Sequence, residues 1–430
     1  MQGCFTRPSR RVFTVAVGLA ALMAGTGLAS ADTVIKWLHV EADQKTVAAW
    51  QDVAKQFEAE HAGVKIEMQF LENEAFKAKL PTLLQSSAAP SLFFTWSGGV
   101  LKAQAATGKL RQLNKAFDAN DGAWRKQINA SQIDGMTFDG KIWAVPYKTG
   151  NISFLYNKAL FQKAGVDASA IKTWDDFLAA VKTLKAAGIT PIAGGGGEKW
   201  PLHFYWGYLA MREAGPDGFA AAKAGKDGGF TAAAFVRAGK RLRELGALEP
   251  FQPGYLGTKW MDSVGAFGDG RAAMILGFEN TSDTQVFTAT NGKGQPFDNL
   301  GRFDFPAVAG APGKTTDYLG RINGWVITAN APPETELFLQ YLTSPGVQKV
   351  LAAKTGMIPV AKGVADAITN PLVKDSAKAL ESETWHQNFL DQDLGPSVGR
   401  VVNDMSVEIV SGHVTPEEAV RQIQDAYALQ

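Results

Sequence analysis

Between Thr33 and Thr95 the apolar residues change their period in a fixed order. Thr33 to Leu38 reads as a strand, and Val47, Trp50, Ala54 and Phe57 then recur at helical spacing before Gly63. Val64, Ile66, Met68 and Phe70 alternate, Phe76, Leu80, Leu83 and Leu84 return to helical spacing, and Leu92 to Thr95 is a third apolar run. Alternation marks a strand and a three-to-four-residue recurrence marks a helix. The order β-α-β-α-β predicts an α/β fold with a parallel sheet flanked by helices, and such sheets hold ligands beyond the carboxyl ends of their strands. Here those ends are His39 to Asp43 and Trp96 to Gly99, which makes Glu41, Asp43, Trp96 and Ser97 candidate binding residues.

A second α/β unit comes next. Thr173-Trp-Asp-Asp176 has the form of a helix N-cap with an acidic third residue, ahead of Phe177, Leu178, Val181 and Leu184 on one face and Gly188 as a stop. Ile189 to Ala193 and Ala272 to Leu276 are its expected strands, and Gly324 to Thr328 is a further one. Helical runs cover Glu334 to Leu342 and Pro345 to Lys354, and Thr415-Pro-Glu-Glu418 opens a last helix. With 430 residues, two or three domains are expected.

Between the two units lies KIWAVPYKTGNISFLYNKALF, from Lys141 to Phe161. The Asp139-Gly140 pair predicts a hairpin leading into it. Two strand-like runs are separated by Pro146 to Asn151, a segment too polar for core and too aromatic for an ordinary loop. Tyr147, Lys148 and Asn151 are grouped there, as turn chemistry after Pro146 or, as the family resemblance of this stretch implies, as a hinge between two lobes with these residues facing a ligand.

Arg7, Arg10 and Arg11 precede an uncharged stretch, Val12 to Ala31, that ends in Ala29-Ser30-Ala31. This is the layout of a cleaved secretory signal, residues 1–31, and Ser9-Arg-Arg-Val-Phe13 also resembles a twin-arginine export signal, so both Sec and Tat export remain open. The single cysteine, Cys4, precedes the apolar run, which excludes a disulfide framework and the lipidated cysteine of a lipoprotein from the mature chain. A periplasmic location is the expectation.

The 43 basic and 42 acidic residues are interspersed and give a net charge of +1, with no basic patch for nucleic acid. Five scattered histidines form no metal motif, and there is no nucleophile elbow or phosphate loop. No metal, cofactor or catalytic residue is expected, although 42 acids leave a two-carboxylate glycosidase open.

Tryptophan beside polar residues is the stronger signal. Trp37, Trp96, Trp200, Trp206, Trp260, Trp325 and Trp385 fall among Asn, Asp, Glu, Arg and Gly. Indole faces suit the apolar faces of a pyranose, and fixed polar side chains suit its hydroxyl rim. Trp37 and Trp206 are expected in the core; Trp96, Trp200 and Trp385 are expected to stack on a sugar.

The hinge stretch carries a resemblance to a known family. Gly140-Lys141, Ala144, Pro146-Tyr147, Tyr156-Asn157-Lys158, Leu160-Phe161, Lys163-Ala164-Gly165 and Thr173-Trp174-Asp175 occur in the order seen in the extracellular solute-binding proteins of ABC importers, the carbohydrate-binding group similar to maltose-binding protein. Phe267 to Met274 resembles the family's F-x-x-G-x-A-A-M element, and Gly324 to Thr328 its strand returning to the first lobe. Pro90-Ser91-Leu92 departs from the family's P-D-V.

The resemblance implies a two-lobed periplasmic-binding-protein fold, two α/β lobes joined by crossing hinge strands with a ligand cleft between them. Lobe one is expected at 32–150 and 307–350, and lobe two at 151–306 and 351–430. It implies a monomer that binds a neutral sugar by lobe closure and passes it to the permease subunits of an importer. Glu41, Asp43, Lys148, Glu279, Asn280, Arg321 and Asn323 would bond hydroxyls, with Trp325 lining the returning segment. A secreted glycoside-acting enzyme, or a binder of a polyol, iron or polyamine, is the alternative.

Overall fold

The computed structural model describes residues 32–430, so the expected export signal lies outside the described residues. Strand β1 (Thr33–His39) pairs in parallel with β2 (Val64–Phe70) along its whole length and with β3 (Leu92–Trp96) on its other side. Helix α1 (Gln44–Glu60) starts where the Asp43 carboxylate accepts the N–H groups of Lys45 and Thr46, at 2.8 and 3.3 Å, and it buries Trp50, Val53 and Phe57. Helices α2 (Asn73–Leu83) and α3 (Gly99–Ala106) come after β2 and β3. The β-α-β-α-β order expected from the periodicity is the one observed.

The predicted hairpin is present as β4 (Thr137–Phe138) and β5 (Lys141–Ile142). Asp139 and Gly140 both take positive φ, 53° and 69°, as a tight two-residue connection requires. The next segment differs from the expected pair of strands with a polar break. Val145 to Asn157 is one strand, β6, of 13 residues, with a register shift between Pro146 and Lys148. Its second half pairs with β7 (Met274–Phe278) and β8 (Leu300–Phe303). Its first half pairs antiparallel with β9 (Asp317–Ile327), and Lys148 and Thr149 also meet β10 (Ile358–Pro359). Strand β9 likewise runs both ways: its inner half lies between β3 and β6, and Asp317 to Gly320 pair with β11 (Trp385–Asn388). Pro146 to Asn151 lies where two bodies meet, and its backbone pairs with β9 and, at Lys148 and Thr149, with β10.

Two separate apolar cores sit at the ends of these crossing strands. One gathers Trp37, Trp50, Phe94, Tyr147, Trp325 and Phe338. Its indoles lie in mutual edge and tilted contact, with Trp37 5.1 Å from Trp325 and 5.2 Å from Trp50 between centroids. The other gathers Phe154, Trp174, Phe177, Trp206, Tyr208 and Phe305. Trp37 and Trp206, expected in core, are fully buried there.

Val308 and Leu319 pack with the second core, and Leu351, Met357 and Val360 with the first. The reason is topological: β9 enters from the second body, and the chain after residue 350 makes β10 against β6 before it leaves.

The helix Trp174–Ala186 has the predicted capping box, with Thr173 and Asp176 bonding each other's backbone. Ile189 to Ala193 does not form the expected strand; only Ile192 makes isolated bridges, to Phe251 and Met274. Among the described residues no helix is long and apolar enough to cross a membrane.

Candidate functional site

Strand register brings the site together. Trp96 at the end of β3 is opposite Asn323 of β9, and Asn323 is in turn opposite Lys148 of β6. These three side chains open onto a cavity of about 280 Å³, which Glu41 and Asp43 reach from the loop after β1 and Trp200, Trp260, Phe278 and Asn280 from the other body. The cavity is therefore a cleft with walls from both lobes, placed at the carboxyl ends of the parallel strands.

Two ion pairs set its electrostatics. Lys148 Nζ lies 3.1 Å from Glu41 Oε2, and both groups are shielded from solvent. Burial works against the charge of Glu41, and the Lys148 ammonium, the Asp43 N–H and the Arg321 guanidinium together outweigh it, holding the carboxyl below its ordinary range. Burial likewise works against charged Lys148, and Glu41 holds it above the ordinary lysine value. Asp43 is pushed upward by burial and by the neighbouring Glu41.

The second pair is Arg321 Nη2 to Glu279 Oε1, at 2.5 Å. The Arg321 guanidinium also stands 4.2 Å above the Phe278 ring, a cation–π contact that fixes its plane. Asn323 Oδ1, Thr281 Oγ1, Glu279 Oε2 and Arg321 Nε are buried without a protein partner. Groups of this kind cost free energy unless something bonds them, and those of Asn323, Thr281 and Arg321 belong to residues that line the cavity, so a guest with hydroxyls has both donors and acceptors to meet.

The aromatic wall belongs mostly to the second lobe. Trp200, Trp260 and Phe278 meet at centroid distances of 5.3 to 5.8 Å, and Trp96 faces them from the first. Lys77 of α2 lies 5.5 Å over the Trp96 ring and restricts its motion.

Of the candidates read from sequence, Glu41, Asp43, Trp96, Lys148, Trp200, Asn280, Arg321 and Asn323 line this cavity. Glu279 stands behind it, paired to Arg321. The others are placed elsewhere. Trp325 and Tyr147 stack on each other in the first core at 4.8 Å. Asn151 is fully buried one residue before β6 passes to β7, with both amide atoms unpartnered. Ser97 is buried, its N–H bonded to Ile322 O at 3.2 Å, beside Gly98 and Gly99, which abut Asp393 and Gly395. Trp385 begins β11 and rests 5.3 Å from Phe219 in the second core.

Sequence reasoning missed Trp260, Phe278, Thr281, Glu72 and Glu198 as lining residues. Trp260 stood out by the same rule as Trp200; the rest gave no local signal, since each enters the cleft only through the tertiary fold.

A cleft walled by two α/β bodies that share crossing strands is the build of a solute receptor. Residues 42–349 match the family described as bacterial extracellular solute-binding protein, and the chain belongs to that family. It is 25% identical over 332 residues to a probable sugar-binding periplasmic protein of Mesorhizobium japonicum, covering 75% of this chain and 76% of that one. It is 29% identical over 185 residues to an ABC transporter extracellular-binding protein of Pyrococcus horikoshii, a match that spans 42% of this chain and 41% of that relative's length. A solved chitin oligosaccharide binding protein superposes with a TM-score of 0.83 at 26% identity, over 93% of this chain and 99% of that one. The expected two-lobed α/β fold is the fold found.

Proposed function

We propose that this chain is the periplasmic receptor of an ABC importer, that it closes its lobes on a neutral sugar and delivers the sugar to the permease. One observation carries the ligand class: the two buried cations of the cleft, Lys148 and Arg321, are each already neutralised by a carboxylate, at 3.1 and 2.5 Å. A phosphate or carboxylate guest would have to break those pairs, whereas a hydroxyl-rich guest can bond to their outer edges. Trp96, Trp200 and Trp260 supply faces for its C–H surfaces. The similarity to a probable sugar-binding protein of Mesorhizobium and to a chitin oligosaccharide binding protein supports the same class.

The core memberships support lobes at 32–150 with 320–360 and at 151–319 with 361–430. Between such lobes the chain crosses only at β6, β9 and near β10, the line about which they can turn, while Gly98 and Gly99 abut Asp393 and Gly395 and Lys77 lies 3.8 Å from Asp391, contacts that opening would break. Closure is then a population shift driven by contacts that the guest makes to both lobes at once. The receptor works as a monomer and returns its ligand chemically unaltered.

The test is a thermal-shift screen of the mature chain against mono-, di- and trisaccharides and sugar alcohols. Binding to the native state alone raises the melting temperature. A rise with one or more neutral saccharides is expected. Failure of all of them, with a rise on adding an anion, a polyamine or a metal ion, overturns the sugar reading, and conversion of a bound oligosaccharide into products overturns the reading as a pure receptor.

A further inference from the structure

A second and larger cavity, of about 640 Å³, adjoins the first. Trp96 and Glu198 line both, so the two are neighbouring chambers between the lobes. The walls of the larger one differ in chemistry. Lobe one supplies carbon: Phe76, Leu80, Pro81 and Leu84 from α2 and its C-terminal cap, and Val100 and Ala103 from α3. Phe76, Leu80 and Leu84 recur every fourth residue, which puts them on one face of the helix. The polar members of that wall, Glu74, Lys77, Gln104 and Thr107, stand toward the start of α2 and the end of α3.

Lobe two supplies acceptors. Asp391 and Gln392, from the short helix Leu390–Asp393, and Asn403, from the helix Pro396–Ser411, line the opposite wall and are only 6, 4 and 9% exposed. Asp391 Oδ2 accepts both neighbouring amides, Gln392 Nε2 at 2.9 Å and Asn403 Nδ2 at 3.1 Å. With the amide donors turned to the carboxylate, Gln392 Oε1, Asn403 Oδ1 and Asp391 Oδ1 are left buried without a partner. The groups nearby do not fill that need. His203 donates from Nδ1 to the Trp200 carbonyl at 2.6 Å, so in the neutral ring Nε2, 3.8 Å from Asp391 Oδ1, is one more acceptor. Lys77, 3.8 Å from Asp391 Oδ2, already bonds Glu74 at 3.0 Å. All three orphaned oxygens lack a donor, which a guest can bring.

We propose that the larger cavity takes the aglycone of a glycoside, a flat apolar ring bearing a hydroxyl and joined to the sugar held in the smaller cavity. The ring lies on the carbon wall of lobe one, its hydroxyl donates to the Asp391–Gln392–Asn403 set, and the glycosidic link passes Trp96. This rests on the sugar-receptor reading of the smaller cavity and narrows its ligand to an aryl glycoside with a phenolic hydroxyl. A second pyranose matches the walls less well. Hydroxyls surround its whole rim, and those turned to Leu80, Leu84 and Val100 would be buried unpaired. A purely hydrocarbon group would instead leave the three acceptors unbonded. The phenolic ring meets both walls, and because they belong to different lobes it adds to the contacts that favour closure.

Titration calorimetry of the mature chain tests this with the methyl, phenyl and para-hydroxyphenyl β-glycosides of glucose, galactose and xylose, and with the β-linked disaccharide of each. For the sugar that binds, affinity is expected to rise in the order methyl, phenyl, para-hydroxyphenyl, the last about tenfold or more above the first. Ala103→Phe, at an exposed position on the carbon wall, fills part of the cavity and should erase the difference between the methyl and para-hydroxyphenyl compounds. Asn403→Leu removes one acceptor and should bring the para-hydroxyphenyl compound down to the phenyl one; a melting curve shows whether this buried variant folds, and Ala103→Phe carries the test if it does not. Equal affinity for the methyl and para-hydroxyphenyl glycosides, or a disaccharide that gains more than the para-hydroxyphenyl compound, overturns the proposal and leaves the sugar reading in place. An aryl advantage that survives Ala103→Phe also overturns it, since the ring then sits elsewhere. Failure of every saccharide and glycoside alike removes the sugar reading and this proposal with it.

Discussion

Gly150 lies directly beneath the carboxylate of Glu279: a Cβ built there would stand 2.1 Å from Oε2 and 2.5 Å from Cδ. The glycine is thus the space through which Glu279 reaches Arg321, its partner at 2.5 Å on the neighbouring strand. Gly150→Ala should displace the carboxylate and leave the buried guanidinium unpaired. A destabilisation of about 1–3 kcal/mol is expected, the usual range for overpacking a filled site. Sugar affinity should fall with it, because Arg321 lines the cleft. Urea melts and titration calorimetry on the variant check both, and a variant with unchanged stability and affinity would show that the pair does not depend on that gap.

Lys148 and Glu41 make a second dependency, one with a pH signature. Lys148→Met leaves Glu41 buried without its cation, at an expected cost of about 3–5 kcal/mol. The double variant Lys148→Met with Glu41→Leu should recover much of that loss, because an apolar pair replaces an ion pair nearly neutrally. The folded-state value of Glu41 is depressed, so its contribution is complete above the ordinary glutamate value and is lost as pH falls through the depressed one. Lys148 is the mirror case: its folded-state value is raised, so its contribution is complete below the ordinary lysine value and is lost as pH rises through the raised one. Glu41→Gln should therefore flatten the acid limb of a stability-against-pH curve.

Trp200 and Trp385 look alike in sequence and differ in place. Trp200 lines the cleft beside Trp260, while Trp385 lies against Phe219 in the second core. Trp200→Ala should weaken sugar binding by about 2 kcal/mol, roughly thirtyfold in Kd, with the fold retained. Trp385→Ala should instead lower stability by about 1–2 kcal/mol and leave affinity nearly unchanged. The reverse pattern in paired melting and calorimetry experiments would mean that the aromatic wall has been assigned to the wrong indoles.

That contrast shows which parts of the molecule were legible beforehand. The β-α-β-α-β unit was, because each of its strands and helices buries one stripe or face and the period of that stripe is local. The hairpin and the helix caps were legible for the same reason, since Asp139-Gly140 and Thr173 to Asp176 fix their own geometry within four residues. Side-chain depth was not. Asn323 and Trp325 share one face of β9, two residues or about 7 Å apart along the strand. The first opens onto the cleft and the second lies in the core against Tyr147. Tyr147 and Lys148 are adjacent at the register shift, with Lys148 Nζ 5.4 Å over the Tyr147 ring, yet the first packs in the core and the second opens onto the cleft. Which position marks the floor of the cleft depends on where β3 ends against β9, a long-range register that no window of sequence contains. The polar run from Pro146 to Asn151 was read as a break for a related reason: polarity there reflects the junction of two lobes, and the strand continues through it.

Arg212 ties the start of β9 to the second lobe. It is fully buried, and its guanidinium donates to the carbonyls of Phe305, Pro306 and Asp317 at 3.0, 3.2 and 3.0 Å, with no carboxylate among these partners. Burial lowers its affinity for the proton, and the carbonyl dipoles together with the Tyr208 ring, 5.2 Å away, accommodate the charge. The three acceptors flank the loop between β8 and β9, so this side chain sets where the crossing strand leaves the second core. Arg212→Met fills the volume and leaves three buried carbonyls without donors, each worth about 1–3 kcal/mol. Arg212→Lys restores the charge, but a single ammonium lacks the planar fork that reaches three separated oxygens, so it should rescue only part of the loss. Because β9 carries Arg321 and Asn323 into the cleft, both variants should also weaken sugar binding in proportion to how far the strand shifts. Chemical denaturation with calorimetry at one temperature checks this ordering, and a lysine variant as stable as the unaltered chain would mean that charge alone, rather than the fork, anchors the strand.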